Sequence, residues 1–291
     1  MPSVQDTTTA LLRNDHNNNN NSSNKYGSTS KMPDTVEKTM TFKPLDVEAL
    51  RAPMFRTHET RVNLAYSWRK NALLSMKRML LENKDAFCEA LRKDLGKEPV
   101  EGWLIEGSGP ISEVGFILKR LWFWMQPTKV ASPIHMAIGF SRVRRVPLAP
   151  PGVLVIGPSN YPLLLSLGPA LGSLAAGNPT VIKPSDLTPA TSGLLEKLVP
   201  KYFDKSVLQV VCGGVDETTR LLQEPWGKIC FTGSTRVGRI VAQAAAKTLT
   251  PTTLELGGKS PAYVDKDLIH KSLVAHRIVW GKTINNGQTV S

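Results

Sequence analysis

Glycine and hydroxyl side chains lie between an apolar run and a helical stretch in the segment FTGSTRVG, residues 231–238. Gly233 would permit a sharp backbone turn, and Ser234 or Thr235 could cap the helix that follows. The N–H groups and the positive dipole end of such a helix attract a phosphate group. Because the spacing departs from the dinucleotide fingerprint G-x-G-x-x-G, an ordinary capped turn remains the alternative interpretation.

A lysine and an aspartate stand beside a Pro-Ser turn in the segment VIKPSDLTP, residues 181–189. Lys183 and Asp186 would emerge there at a strand end, where an ammonium group and a carboxylate could hold the two hydroxyls of a ribose. The alternative interpretation is a surface ion pair, which is the commoner use of such residues.

Glu255 ends the apolar run of the segment LELGGKSP and precedes the paired glycines Gly257 and Gly258. A partly desolvated carboxylate there could remove a proton from a thiol or a water. The alternative is a strand-terminal glutamate with its carboxylate in solvent. The glycine pair favours the first interpretation, because paired glycines mark a place where a group approaches the backbone closely.

Asn160 follows another apolar run, within the segment GPSNYP, residues 157–162. Its side-chain N–H could stabilise a developing oxyanion. An Asx-type turn before Pro162 is the common alternative. The four segments together therefore contain groups suited to bind a phosphate and a ribose, to move a proton and to stabilise an oxyanion.

Short apolar runs that alternate with helical stretches must position these groups. The runs are Val153–Ile156, Thr180–Ile182, Val207–Val211, Lys228–Phe231 and Thr252–Leu256. Continuous apolar strands between helices are typical of a parallel sheet covered on both faces. We therefore predict an α/β fold with a doubly wound parallel-sheet, Rossmann-like cofactor domain over residues 151–256, whose ligands bind outside the carboxyl ends of the strands.

The sequence before residue 151 divides into three predicted segments. Residues 1–44 are rich in Asn, Ser and Thr and lack the apolar content that folding requires, so a disordered tail is predicted. Residues 45–137 have an amphipathic helical period and are predicted to form the N-terminal helices, including one from about Trp103 to Met125. Residues 138–150 are predicted to form a β-hairpin or extended arm.

The basic composition does not by itself indicate a nucleic-acid-binding protein. The formal charge is +12, but the basic residues are scattered and lack interleaved aromatic side chains. The densest cluster, Arg142, Arg144 and Arg145, alternates with Val143 and Val146, which indicates a strand with one charged, solvated face. We expect no nucleic acid partner.

The cysteines and the apolar runs favour a cytoplasmic location. Cys88, Cys212 and Cys230 are widely spaced and odd in number, which fits neither a disulfide framework nor a paired-thiolate metal site. We expect no metal. No run reaches the roughly 20 apolar residues of a membrane helix, and the N-terminus lacks the order of a secretory signal.

The segments NYP, AAGN, VIKPS, GGVDETT, FTGST, LTPTTLELGGKSP and WGKTINNGQT, in this order, resemble the aldehyde dehydrogenase superfamily, and closely its class 3 or fatty-aldehyde branch. The resemblance extends from about residue 45 to Thr289. It implies an oxidoreductase that oxidises aldehydes, long-chain aliphatic ones among them, to carboxylic acids with NAD or NADP. It also implies a homodimer in the full-length form, with residues 138–150 as an oligomerisation-type arm.

The resemblance gives each segment a role. The cofactor pyrophosphate would be bound by Gly233, Ser234, Thr235, Arg236, Val237 and Gly238. Lys183 and Asp186 would bind the adenosine ribose, Asn160 would stabilise the oxyanion, and Glu255 would be the general base. Two positions depart from the family pattern, which usually has Glu in place of Asp186 and Trp in place of Ser159. The shorter Asp186 carboxylate bears on the ribose contact and on the choice between NAD and NADP.

The resemblance also implies a cysteine nucleophile directly after GQT, which is residues 287–289 here, yet Val290 follows. A valine has no lone pair with which to form the thiohemiacetal of the family's chemistry. The family continues well beyond this point, so residues 257–291 are interpreted as the start of a truncated catalytic domain and the chain as inactive. The stretch Leu268–Trp280 is expected to expose its apolar face. The alternative interpretation is a non-catalytic truncated isoform that binds a cofactor or a partner protein.

Overall fold

The computed structural model describes residues 45–136, 138–267 and 270–289. The predicted disordered tail, residues 1–44, lies outside the described residues, and so do Val290 and Ser291. Within these ranges the chain forms ten α-helices, a five-stranded sheet and a two-stranded ribbon.

Five helices precede the strands in the sequence. They are α1 (Val47–Thr60), α2 (Tyr66–Glu82), α3 (Lys84–Leu95), α4 (Pro99–Gly102) and α5 (Ser108–Met125). The helix predicted to begin near Trp103 starts instead with one π-helical turn, Trp103–Gly107, in which Glu106 is completely buried. Local π turns often mark functional sites.

A two-stranded antiparallel ribbon follows α5. Its strands are β1 (Thr128–Val130) and β2 (Ser141–Val143). The ribbon begins before residue 138, where the sequence predicts the arm, because Pro127 ends the helix and the β-branched residues of β1 favour a strand. Val143 and Val146 are exposed like the neighbouring arginines, so both faces of this segment are open in the chain, not one as predicted.

Five parallel strands form the central sheet. They are β3 (Val153–Ile156), β4 (Thr180–Lys183), β5 (Leu208–Val210), β6 (Lys228–Gly233) and β7 (Thr252–Leu256). Their order is β5-β4-β3-β6-β7, and every neighbouring pair is parallel, so the predicted doubly wound sheet is confirmed. The winding direction changes between β3 and β6, and doubly wound folds commonly bind ligands outside the strand ends at such a switch point.

Helices cover both faces of this sheet. Those that follow its strands are α6 (Leu164–Ala175), α7 (Pro189–Tyr202), α8 (Val215–Gln223) and α9 (Thr235–Lys247). Val153 and Val155 of β3 belong to one core with α2, α5, α6 and α7, whereas Leu154 and Ile156 belong to the other with α1, α8 and α9. Because successive strand side chains point to opposite faces, an entirely apolar strand must be covered twice.

The described sequence ends with α10 (Lys271–Thr283) and a short turn, residues 284–289. None of the residues of α10 is buried, and Leu273, Val279 and Trp280 are exposed, in agreement with the exposure predicted for this stretch. Among the helices described, none has the length and apolar content that a membrane crossing requires.

Shortening a side chain of the first core should leave a cavity. Leu171 lies on α6 with none of its surface exposed. We expect Leu171→Ala to lower the free energy of unfolding by about 2–5 kcal/mol, measured by urea denaturation. Leu187 is 65% exposed, and Leu187→Ala should change the same quantity by about 0.5 kcal/mol or less. Equal losses in the two variants would contradict the packing described.

Candidate functional site

The N-terminus of α9 lies directly after the carboxyl end of β6. Ser234 is the N-cap residue, and its hydroxyl accepts a hydrogen bond from the Val237 N–H over 3.3 Å. Ser234 and Thr235 are exposed, whereas Arg236 is half-buried. Since the first turn of α9 contains no acidic side chain, no carboxylate of its own neutralises the positive end of the helix dipole. This end of α9 can therefore attract an anion.

The glycines at this turn serve close packing. Gly233 does not adopt a positive φ, so the sharp turn expected of it is not observed. A Cβ atom at Gly233 would lie 2.6 Å from the Phe231 ring, and one at Gly238 would lie 2.6 Å from the Leu256 side chain. Gly233 therefore leaves room for the Phe231 ring of its own strand, and Gly238 lets α9 approach the Leu256 side chain of β7.

Acidic side chains meet the N-termini of the other helices that follow sheet strands. The Glu106 carboxylate accepts hydrogen bonds from the N–H groups of Leu163 and Leu164, at the start of α6, over 2.9 and 3.4 Å. Asp94 accepts from two N–H groups in the first turn of α7, over 2.9 and 2.7 Å. Glu217 accepts from the N–H that precedes α8, over 2.8 Å. Of these four described helices, α9 alone lacks such a carboxylate.

Lys183 ends β4 with only 4% of its surface exposed. Its ammonium group makes no hydrogen bond or ion pair with any residue that the structure describes. Burial lowers the pKa of Lys183, and the nearby carboxylates of Asp186 and Glu217 oppose that shift. The alternative of a surface ion pair does not fit a buried, unpaired lysine. An ammonium group without a protein partner at a strand end can donate a hydrogen bond to a ligand hydroxyl.

Glu217 joins Lys183 and Asp186 at this end of the sheet, although no sequence motif predicted it. It stands in the first turn of α8, where its carboxylate accepts a hydrogen bond from the N–H of the N-cap residue Gly214. Any side chain at Gly213 would lie 2.4 Å from Glu217, and Gly213 has a φ of +152°. The sequence signal that could have found Glu217 is its position three residues after the pair Gly213 and Gly214, a spacing typical of a helix start.

Asn160 lies in the loop after β3, residues 157–162, which we call the Asn160 loop. Its side-chain N–H donates to the Gln288 carbonyl over 2.7 Å, and its own carbonyl accepts from the Asn285 side chain over 2.8 Å. The Tyr161 hydroxyl contacts the Thr289 hydroxyl. The Asn160 side chain thus bonds outside its own loop, and the Asn160 loop is held against the turn after α10.

A buried ion pair lies next to the Asn160 loop. Lys97 is 4% exposed and Glu106 is 0% exposed. The Lys97 Nζ atom lies 3.5 Å from the Asn160 carbonyl and 4.6 Å from the centre of the Tyr161 ring. Burial raises the pKa of Glu106, although Lys97 opposes that shift. No motif indicated this pair, because a lysine and a glutamate in a helical region are typical of a solvated face.

Glu255 lies on β7, at the edge of the sheet. It is exposed, stands opposite Thr232 of β6, and has no hydrogen bond to the Asn160 loop within the described ranges. Neighbouring strands are about 4.8 Å apart, so roughly 10 Å separates β7 from β3. Gly257 and Gly258 have open space where a Cβ atom would stand. The role of Glu255 as a base stays a prediction.

The three thiols are poorly suited to nucleophilic attack. Cys88 is buried, and Cys212 and Cys230 are half-buried. Burial raises the pKa of all three thiols, that of Cys212 to about 12. Since the thiolate is the reactive form, burial lowers the reactivity of these side chains. The described part of the chain also contains no cluster of three or more metal-ligating side chains.

We expect iodoacetamide to alkylate Cys212 in the folded chain at least about tenfold more slowly than in urea at neutral pH. A thiol with a raised pKa stays protonated and unreactive until the pH approaches that value, so mild alkali should not remove the resistance. Peptide mapping by mass spectrometry measures each site separately. Rapid alkylation of Cys212 in the folded protein would contradict the burial described.

Known proteins similar to this chain agree with one another. The sequence model of the Aldehyde dehydrogenase family matches residues 31–291. The chain is 43% identical over 222 residues to the dimeric NADP-preferring aldehyde dehydrogenase of Mus musculus, a match that covers 76% of this chain and 48% of the relative.

Two solved structures share the fold. Staphylococcus aureus AldH, in a substrate-bound state, aligns with a TM-score of 0.79 and 35% identity over 84% of this chain and 53% of its own. The Mycobacterium tuberculosis aldehyde dehydrogenase complexed with NAD+ aligns with a TM-score of 0.66 and 30% identity over 76% of this chain and 45% of its own. The chain therefore spans about half the length of the proteins that it matches.

Proposed function

The chain belongs to the aldehyde dehydrogenase family, and from this premise we propose that it forms the cofactor-binding part of an NAD- or NADP-dependent oxidoreductase. The observation that carries this proposal is the N-terminus of α9, whose first turn holds no carboxylate. The mouse relative is named NADP-preferring and the mycobacterial structure holds NAD+, which supports a pyridine dinucleotide as the ligand.

The residues at the carboxyl edge of the sheet fit such a ligand. The turn from Gly233 to Gly238 offers N–H groups for a pyrophosphate. The ammonium of the buried residue Lys183 has no hydrogen-bond partner among the described residues and would donate to a ribose hydroxyl, and Asp186 would accept from one. Because Asp186 is short and exposed, we propose that Glu217 supports this end of the site electrostatically.

We propose that the complete protein oxidises aldehydes to carboxylic acids through a cysteine thiohemiacetal, as the family does. The bound dinucleotide would supply the hydride acceptor. The Asn160 side-chain N–H would stabilise the oxyanion of the adduct. It would first have to leave the Gln288 carbonyl, to which it donates here. Glu255 on β7 would be the general base. It would remove a proton from the thiol or from the hydrolytic water through an intervening water molecule.

Several finer features belong to the same proposal. The name of the mouse relative supports a homodimer in the longer protein. Aldehydes, long-chain aliphatic ones among them, would be the substrates, and a cytoplasmic location stays a prediction.

Since Val290 follows GQT, we propose that the 291-residue chain binds a dinucleotide without oxidising aldehydes. The second candidate is a non-catalytic form that binds a cofactor or a partner protein, which the same residue favours.

Replacing the buried lysine should weaken dinucleotide binding. We expect Lys183→Met to raise the Kd for NAD or NADP by about tenfold or more in calorimetric titration, because a hydrogen bond from a charged donor is lost. Lys201→Met is the matched control, since Lys201 is exposed on α7. If the unmodified chain binds neither dinucleotide, the proposed function is wrong.

Oxidation itself should be absent from the purified chain. We expect no NADH or NADPH to form with short-chain or long-chain aldehydes, because Val290 cannot add to a carbonyl. Absorbance of the reduced dinucleotide measures the reaction, with a full-length aldehyde dehydrogenase as the positive control. Turnover by the 291-residue chain would show that another group acts as the nucleophile.

A further inference from the structure

We propose that the buried ion pair of Lys97 and Glu106 is a positioning device, which holds the Asn160 loop against the turn after α10. All contacts that support this proposal are made by residues that the structure describes. The importance of their placement rests on the proposed function, in which Asn160 is the oxyanion donor. Lys97 and Glu106 are thus positioning residues that act through Asn160.

Glu106 determines where the Asn160 loop ends. Its Oε2 atom accepts from the N–H groups of Leu163 and Leu164, which are the residues that begin α6. A carboxylate at a helix N-terminus is favoured by both the free N–H groups and the helix dipole. Because Glu106 sits in the π turn before α5, it connects the start of α6 to the N-terminal helices.

Lys97 acts on the residues of the same loop that come shortly before the Glu106 contacts. Its ammonium contacts the Glu106 carboxylate, reaches the Asn160 carbonyl over 3.5 Å, and lies over the Tyr161 ring. The ion pair compensates two charges that would be costly to bury alone. The cation above the ring restricts the position of Tyr161. Lys97 therefore contacts two successive residues of the Asn160 loop, and Glu106 contacts the two residues that follow this loop.

The turn after α10 depends on that loop for its position. Asn285 donates to the Asn160 carbonyl, the Gln288 carbonyl accepts from the Asn160 side chain, and Thr289 contacts Tyr161. In α10 and this turn, Asn285 is the single buried residue among those described. With so little packing of its own, the turn is ordered by hydrogen bonds to the Asn160 loop.

Directional contacts explain why charges occupy this place. A buried ion pair is weak evidence for stability, since apolar residues of similar volume often serve as well. Apolar side chains, however, can neither donate to the Asn160 carbonyl nor accept from the N–H groups of α6. The pair therefore supplies placement of the loop, which hydrophobic packing does not.

The double variant Lys97→Met with Glu106→Gln tests this role in the full chain. Neither substitution leaves an unpaired buried charge, and the glutamine keeps an acceptor for the N–H groups of α6. We expect amide hydrogen exchange of residues 284–289, followed by mass spectrometry, to speed up by about tenfold or more. Exchange in β3, β4 and β6 should stay unchanged, whereas a purely structural role would speed up exchange throughout the sheet.

The control is the exposed ion pair of Glu89 and Arg92 on α3. Glu89→Gln with Arg92→Met should leave exchange of residues 284–289 unchanged. A cooperatively folded double variant with unchanged exchange of residues 284–289 would overturn the proposal. So would an unmodified chain in which these amides exchange as fast as in an unfolded peptide.

A second variant covers failure of the double variant to fold. Lys97→Met alone removes the contacts to Asn160 and Tyr161, and Glu106 can then take up a proton, because burial already raises its pKa. Faster exchange of residues 284–289 at mildly acidic pH supports the proposal, and unchanged exchange overturns it. Neither measurement uses a dinucleotide, so a chain that failed to bind NAD or NADP would contradict the proposed function and leave this inference standing.

Discussion

The Glu106 carboxylate at the start of α6 determines how the carboxyl edge of the sheet is used. In doubly wound folds the helix after the first strand commonly receives a phosphate at its N-terminus. Here a carboxylate from the N-terminal helices already satisfies those N–H groups, and Asp94 does the same at α7. In the proposed function the anionic part of the ligand binds at α9 instead, and the Asn160 loop carries the proposed oxyanion donor.

The groups proposed for chemistry lie at different strand ends. Asn160, after β3, is bonded to the turn that follows α10, whereas Glu255 lies exposed on β7. A carboxylate side chain is shorter than the roughly 10 Å between these strands, so a proton shared between the two places needs a water in between. Lys183 lies on the opposite side of β3, on β4, where burial and the missing partner favour a ligand hydroxyl. The residues proposed to bind the dinucleotide, on β4 and at the start of α9, thus lie on both sides of β3, whose loop carries the proposed oxyanion donor.

Residues that act within one segment could be predicted from the sequence, and residues that act between segments could not. The apolar runs predicted all five strands of the sheet, and the Gly-Ser-Thr pattern predicted the capped helix at α9, because both depend on local periodicity and capping. Lys97 and Glu106 gave no signal, since their partners lie in a loop about sixty residues further along the chain. Gly233 was expected for the wrong reason, because its need arises from the Phe231 ring and not from a turn.

Both cores of the sheet are completed by helices that come first in the chain. Leu50 and Met54 of α1 close one face, while α2 and α5 close the other. On a ribosome these amphipathic helices would emerge well before the strands that cover their apolar faces, and their final contacts have a large sequence separation. The sheet therefore cannot complete its packing without these helices during synthesis. Substitutions that destabilise the earliest helices would therefore also disturb the packing of the sheet, which comes later in the sequence.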